Sequence, residues 1–283
     1  MVVMLSLDVI FNNIWILFII FTFVYPQLQK SALLRNRRRE LEKLGQNRGS
    51  NVITLIHRQE TISLLGLPIS RYIDIDDSEE VLRAIRLTPD ETPIDIIIHT
   101  PGGIALAATQ IALALEAHPA RKTVMIPHYA MSGGTLIALA ADEIMMDPHA
   151  VLGPVDPQLG DQQGMYAASS ILKVVETKKT DELDDRTLYL AEESRKALAQ
   201  IKALVRKLVS DLHDEEKTEE IVEELVSGKY THDFPVTAEE ACELLGACVN
   251  RELPMEVYSL MSLYKMENRP RRPSVEFVPL SSG

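Results

Sequence analysis

Two stretches of the chain repeat one pattern: an apolar run, a glycine-bearing turn and a helix of small residues. In the first, residues 94–98 (IDIII) form the run, and His99, Thr100, Pro101, Gly102 and Gly103 form the turn. Ala, Leu and Ile then recur at i, i+3 and i+4 as far as Ala117. In the second, residues 124–126 form the run. The chain turns through Tyr129, Ala130 and Met131, passes Ser132, Gly133 and Gly134, and enters a helix expected over 135–141. Short apolar runs bounded by turns read as buried strands. Two consecutive strand–turn–helix units predict an α/β domain with a parallel sheet, whose ligands bind at the carboxyl ends of the strands.

The same reading extends outward from these units. Residues 52–56 read as a strand and 71–75 as a second candidate, with Ser78 expected to cap a helix carrying Val81, Leu82 and Ile85. Residues 141–160 supply two short strands and a loop, in which Asp142 and Glu143 end the preceding helix as structural groups. Helical periodicity is strong over 188–212. A second helix over 216–226 meets a natural stop at Gly228, and a short one covers 254–263. No internal repeat beyond the two units is visible.

The amino-terminal pattern is different. From 9 to 25 only Asn12, Asn13 and Thr22 interrupt aliphatic and aromatic residues. About 17 such residues is the lower limit for a membrane span. Residues 1–8 carry no Lys or Arg, so a cleaved signal peptide fits less well. Lys30, Arg35, Arg37, Arg38, Arg39, Lys43 and Arg48 follow, which marks that flank as cytoplasmic. The stretch 45–50 (GQNRGS) reads as a linker. The expected organisation is a transmembrane anchor over 1–26, a basic juxtamembrane linker over 27–50, a catalytic domain over 51–265 and a loose tail over 266–283.

Composition narrows the function. The 283 residues are 46% hydrophobic and 25% charged, which suits a globular domain. The net charge of -12 and the lack of a basic stripe with interleaved aromatics argue against nucleic acid. The two cysteines, Cys242 and Cys248, cannot make a four-ligand zinc site by themselves and read as buried thiols. Neither a G-x-x-x-x-G-K-[ST] loop nor an H-E-x-x-H pair is present, so no cofactor or metal is expected.

Ser132 is the candidate nucleophile. A serine on a sharp turn between strand and helix is held outward, and adjacent glycines admit a substrate backbone. The plain alternative is a helix cap followed by loop glycines. The turn at Gly102 and Gly103 offers N–H groups, and acyl transfer needs a nucleophile and an oxyanion hole together.

HTPGG followed by AMSGGTLIALAADEI resembles the Clp-fold serine peptidases, which include the Clp protease proteolytic subunit and signal peptide peptidase A. The run from VITLIHRQE through LGPVDPQLG to YTHDFPVTAEEA is similar to one branch, the serine dehydrogenase proteinase family. The similarity covers about residues 51–260. It implies a Clp/crotonase-type α/β fold, a serine endopeptidase acting on a peptide or membrane-protein substrate, and a homo-oligomer. It also implies an oxyanion hole at the N–H groups of Gly103 and Gly133, with Gly102 as the permissive turn. A crotonase-like acyl-CoA enzyme and a non-catalytic membrane scaffold are the rival readings of the same fold.

The resemblance leaves the base open. The histidine of the Clp subunit lies in the loop after the nucleophile helix, where this chain has Val155 with Asp156 beside it. That departure implies a Ser–Lys dyad of the signal peptide peptidase A kind. Matching the long helix that follows favours Lys179 or Lys178, whereas counting forward from Ser132 favours Lys173. Asp233 falls where the Clp subunit carries its acidic residue, and His232 with Asp233 is the alternative base with its support.

Overall fold

A computed structural model describes residues 15–16, 18–57, 72–161 and 164–264. Five strands make the main sheet: β1 (Asn51–Ile56), β2 (Ile94–His99), β3 (Lys122–Ile126), β5 (Glu143–Met146) and β10 (Val249–Asn250), in that spatial order. Every pairing in it is parallel, with Ile96 flanked by Ile53 and Val124. A smaller sheet joins β4 (Tyr129–Ala130), β6 (Val151–Leu152) and β9 (Val236–Thr237), and β7 (Gln158–Asp161) forms a hairpin with β8 (Gly164–Ala167).

The unbroken apolar runs arise because the sheet is covered on both faces. Ile97, Met125 and Met145 pack with Leu44 of α1 (Tyr25–Arg48) and Val257, Leu260 and Met261 of α9 (Met255–Ser262). Ile96, Ile98, Val124 and Ile126 face the larger core. That core includes α2 (Ile75–Leu87), α3 (Ala105–Glu116) and α4 (Gly133–Ala138). It also takes the apolar faces of α6 (Asp185–Val209) and α7 (Glu215–Val226), through Val205, Leu208, Ile221 and Leu225. The remaining helices are α5 (Ala168–Thr177) and α8 (Ala238–Leu245).

The cap of α2 is Asp74 and not Ser78. Asp74 accepts from the Asp77 N–H and Asp77 from the Asp74 N–H, both at 3.0 Å. This reciprocal pair satisfies two orphan donors and starts the helix earlier. Of the strand expected over 71–75, Ile73 makes a single parallel bridge to Gly103, and residue 71 lies outside the described residues. The helix expected over 135–141 starts and ends earlier, at Gly133–Ala138. Residues 45–48 complete the last turn of α1, which ends in left-handed backbone at Gly49 (φ 64°).

Among the described residues no helix is long and apolar enough to cross a membrane. Of the apolar stretch 9–25, residues 9–14 and 17 lie outside the described residues, as do 265–283.

Candidate active site

The parallel sheet places the two glycine turns side by side, and backbone bonds stitch them together. Thr100 N–H donates to Tyr129 O at 3.1 Å, and Met131 N–H donates to Thr100 O at 3.0 Å. The rings of His99 and His128 stack at 5.6 Å, and both pack on Tyr129. Ser132 follows at once, with φ 49° and ψ −111°. Among the described residues it is the one non-glycine with positive φ. Such a conformation costs on the order of 1–3 kcal/mol and persists only where the surroundings enforce it. Part of that enforcement is Thr135, fully buried, whose hydroxyl lies 2.7 Å from Ala130 O and 2.8 Å from Gly153 O. The Ser132 side chain does not cap α4, so the plain reading of this serine fails; it lines a cavity of about 400 Å³.

The glycine turn opposite is held from behind. Ile73 N–H donates to Gly102 O and Ile104 N–H to Ile73 O, each at 2.8 Å. This parallel bridge turns the Gly103 N–H away from Ile73, toward the side where Gly133 lies. A Cβ on Gly103 would sit 2.2 Å from Ile73 O, so no side chain fits there. Gly102, at φ 103°, supplies the left-handed residue that the turn needs. Neighbouring N–H groups are committed: Gly102 to Thr100 Oγ1 at 3.2 Å and Gly134 to Met131 O at 2.7 Å. Among the described residues the N–H groups of Gly103 and Gly133 donate to nothing. Two such donors beside one serine hydroxyl are the arrangement that an oxyanion hole requires.

A buried polar chain supports that turn. His57, at the end of β1, places Nδ1 2.9 Å from Thr100 Oγ1 and Nε2 3.1 Å from Asp77 Oδ2. The Thr100 oxygen also accepts the Gly102 N–H at 3.2 Å, so the chain ends on the glycine turn.

His232 and Asp156 line the same cavity. The Asp156 carboxylate is buried and lies 2.7 Å from His232 Nδ1. Its other oxygen accepts from Gln158 Nε2, also at 2.7 Å. The hydrogen bond to Asp156 raises the His232 pKa above 6.5, against the opposing effect of burial. Asp233, expected to support this histidine, is exposed and outside the cavity lining. The carboxylate that holds His232 is Asp156, because the loop after β6 returns beneath it.

The three candidate lysines lie elsewhere. Lys173 is exposed on α5 and pairs with Glu176 at 3.4 Å. Lys178 caps the end of α5 and Lys179 follows it, both exposed. None lines the cavity. Sequence reasoning gave no role to Asp156, His57, Thr100 or Thr135. One signal was present: strands β1, β2 and β3 each end on or near a histidine, at His57, His99 and His128.

The profile of the ClpP-like SDH-type serine proteinases matches residues 1–283. The chain belongs to that family. It is a serine peptidase with a ClpP-like α/β fold and a mostly parallel sheet. Two proteins of Methanocaldococcus jannaschii are similar to this peptidase. Uncharacterized protein MJ0137 is 54% identical, covering 94% of this chain and 91% of its own, and uncharacterized protein MJ1495 is 49% identical, covering 98% and 91%. Among solved structures, a 1510-N membrane-bound stomatin-specific protease is 21% identical, with a TM-score of 0.46 over 75% of this chain and 82% of that one. ClpP1 from Listeria monocytogenes is 15% identical, with a TM-score of 0.45 over 76% and 96%.

Proposed function

We propose that the peptidase cleaves peptide bonds through an acyl-enzyme on Ser132, with His232 as general base and Asp156 orienting it. The observation that carries this reading is one cavity lined by Ser132, Gly103, Gly133 and the His232–Asp156 pair. His232 takes the Ser132 proton as Oγ attacks the scissile carbonyl. The N–H groups of Gly103 and Gly133 receive the developing oxyanion. His232 then returns the proton to the leaving amine, and a water hydrolyses the ester by the same route. The Ser–Lys dyad is the competing mechanism. Against it, Lys173, Lys178 and Lys179 are exposed and none lines the cavity that holds Ser132.

The deciding experiment is acylation of Ser132 by an activated ester probe. His232→Gln should slow acylation by about 10³-fold or more, with Lys173→Met, Lys178→Met and Lys179→Met near the parent rate. A lysine variant that loses acylation while His232→Gln keeps it would restore the dyad. The pH profile carries the same information. A base must be neutral, and Asp156 favours the charged imidazole, so acylation should rise with pH through a midpoint above 6.5. Asp156→Asn removes that bias and should move the midpoint downward.

We also propose that residues 9–25 anchor the chain in a bilayer, with the catalytic domain cytoplasmic and assembled as a homo-oligomer. In support, Trp15, Phe18, Phe21, Phe23 and Tyr25 are exposed on the helical segment that leads into the basic turns of α1. Protease shaving and crosslinking of intact cells test both statements. Removal of the domain from outside would reverse the topology, and crosslinking that traps only monomer would remove the oligomer.

A further inference from the structure

The segment that carries Asp156 is pinned on both sides. Val155 N–H donates to Leu225 O at 2.8 Å, near the end of α7, and Ala168 N–H donates to Pro157 O at 2.9 Å. Gln158 opens β7 and pairs with Ala167 of β8. Pro157 fixes its own φ and keeps the residue before it extended, so Asp156 and Gln158 stand two apart on an extended chain. Side chains two apart on such a chain leave on the same side. The Gln158 amide therefore reaches the Asp156 carboxylate, at 2.7 Å. The contact also fixes the amide, because only its nitrogen can donate to a carboxylate.

The carboxylate then has two donors, one for each oxygen. Oδ1 meets His232 Nδ1 and Oδ2 meets Gln158 Nε2. The Asp156 side chain is fully buried, while the His232 side chain is 39% exposed. A carboxylate with one donor can swing about its own bonds, whereas one held at both oxygens keeps a single orientation. It grips the imidazole at Nδ1 and leaves Nε2 for the serine proton. Charge that Asp156 shares with the amide draws less strongly on the imidazole proton. Few other charges act here. Tyr72, Asp156 and His232 are the titratable residues of the cavity lining, and Asp233 adds a smaller attraction from outside it. Lys229, three residues before His232, is committed to Glu224 at 2.9 Å.

We infer that Gln158 is a positioning residue of the catalytic pair. It squares the Asp156 carboxylate to His232, and it limits how firmly that carboxylate holds a proton on the ring. The base is then neutral at a lower pH than Asp156 alone would allow. This inference rests on the reading of His232 as the general base proposed above.

The test is the pH profile of Ser132 acylation by the activated ester probe, measured on the full chain. Gln158→Met keeps the length of the side chain and removes its donor. The midpoint should rise by roughly half a pH unit, and the rate on the high-pH plateau should fall about tenfold. Gln158→Glu sets a second carboxylate beside Asp156 and should raise the midpoint further. Asp156→Asn moves it the other way. A glutamine that served only the fold would leave the midpoint in place, or lower it by letting Asp156 swing away from His232. An unchanged or lowered midpoint in either folded Gln158 variant therefore overturns the inference. The two substitutions differ in charge, so if one does not fold the other still decides. His232→Gln is measured beside them. If it acylates at the parent rate, the base reading fails and the role of Gln158 with it. If it is silent while the Gln158 midpoints stay at the parent value, the role of Gln158 alone is overturned.

Discussion

The turn after β2 and the turn after β3 share a pattern, His99 to Gly103 and His128 to Gly134, yet they present different groups by different means. The first presents an N–H. Its orientation is set by bonds from behind: Ile73 on Gly102 O, and the Asp77–His57–Thr100 chain on Gly102 N–H. The second presents a hydroxyl, and its orientation is set by backbone strain at Ser132. An N–H cannot be re-aimed without turning a whole peptide plane, so that turn needs fixed partners on both sides of the plane. A side chain leaves its backbone sideways, so one unusual φ suffices, provided that Thr135 and the Gly153 loop hold it.

Breaking each turn should therefore fail differently. Ser132→Ala removes the nucleophile, and the hydrolysis rate should fall by on the order of 10⁴–10⁶ with folding intact by circular dichroism. Undiminished hydrolysis in that variant would end the proposed mechanism. Gly103→Ala drives a Cβ into the Ile73 backbone and displaces one oxyanion donor; kcat should fall by about 10²–10³. Thr100→Val leaves the turn in place but takes the acceptor from Gly102 N–H. A single buried hydrogen bond of this kind is worth about 1 kcal/mol, so kcat should fall about fivefold while KM holds. A change in KM alone would show that the chain serves substrate binding instead. The smallest effect sharpens the contrast best. Ser132→Gly should be more stable than Ser132→Ala by about 1 kcal/mol, because glycine relieves the positive φ. In a domain of this size the melting temperatures should differ by about 2–4 °C.

The order of strands and helices was largely legible, because both units carry unbroken apolar runs that only a doubly covered sheet can bury. That Ser132 and Gly103 meet at one cavity was legible too, since each sits on a glycine turn that follows a strand of the same parallel sheet. Boundaries were less so. Asp74 caps α2 in place of Ser78, because the Asp74 and Asp77 carboxylates each accept from the other residue's backbone N–H.

By itself, the sequence determined the two strand–turn–helix units, the turn glycines and the serine between them. These are local: each follows from apolar run length and from the backbone freedom of a few neighbouring residues. The partner of His232 was decided only in three dimensions. Asp233 adjoins it in the chain, yet points to solvent, while Asp156, 76 positions away, is buried against it. A buried carboxylate must find donors, and His232 and Gln158 are the ones that the fold brings within reach. The aim of the Gly103 N–H was likewise settled by Ile73, a residue with no chemistry of its own, through the plane of one peptide bond.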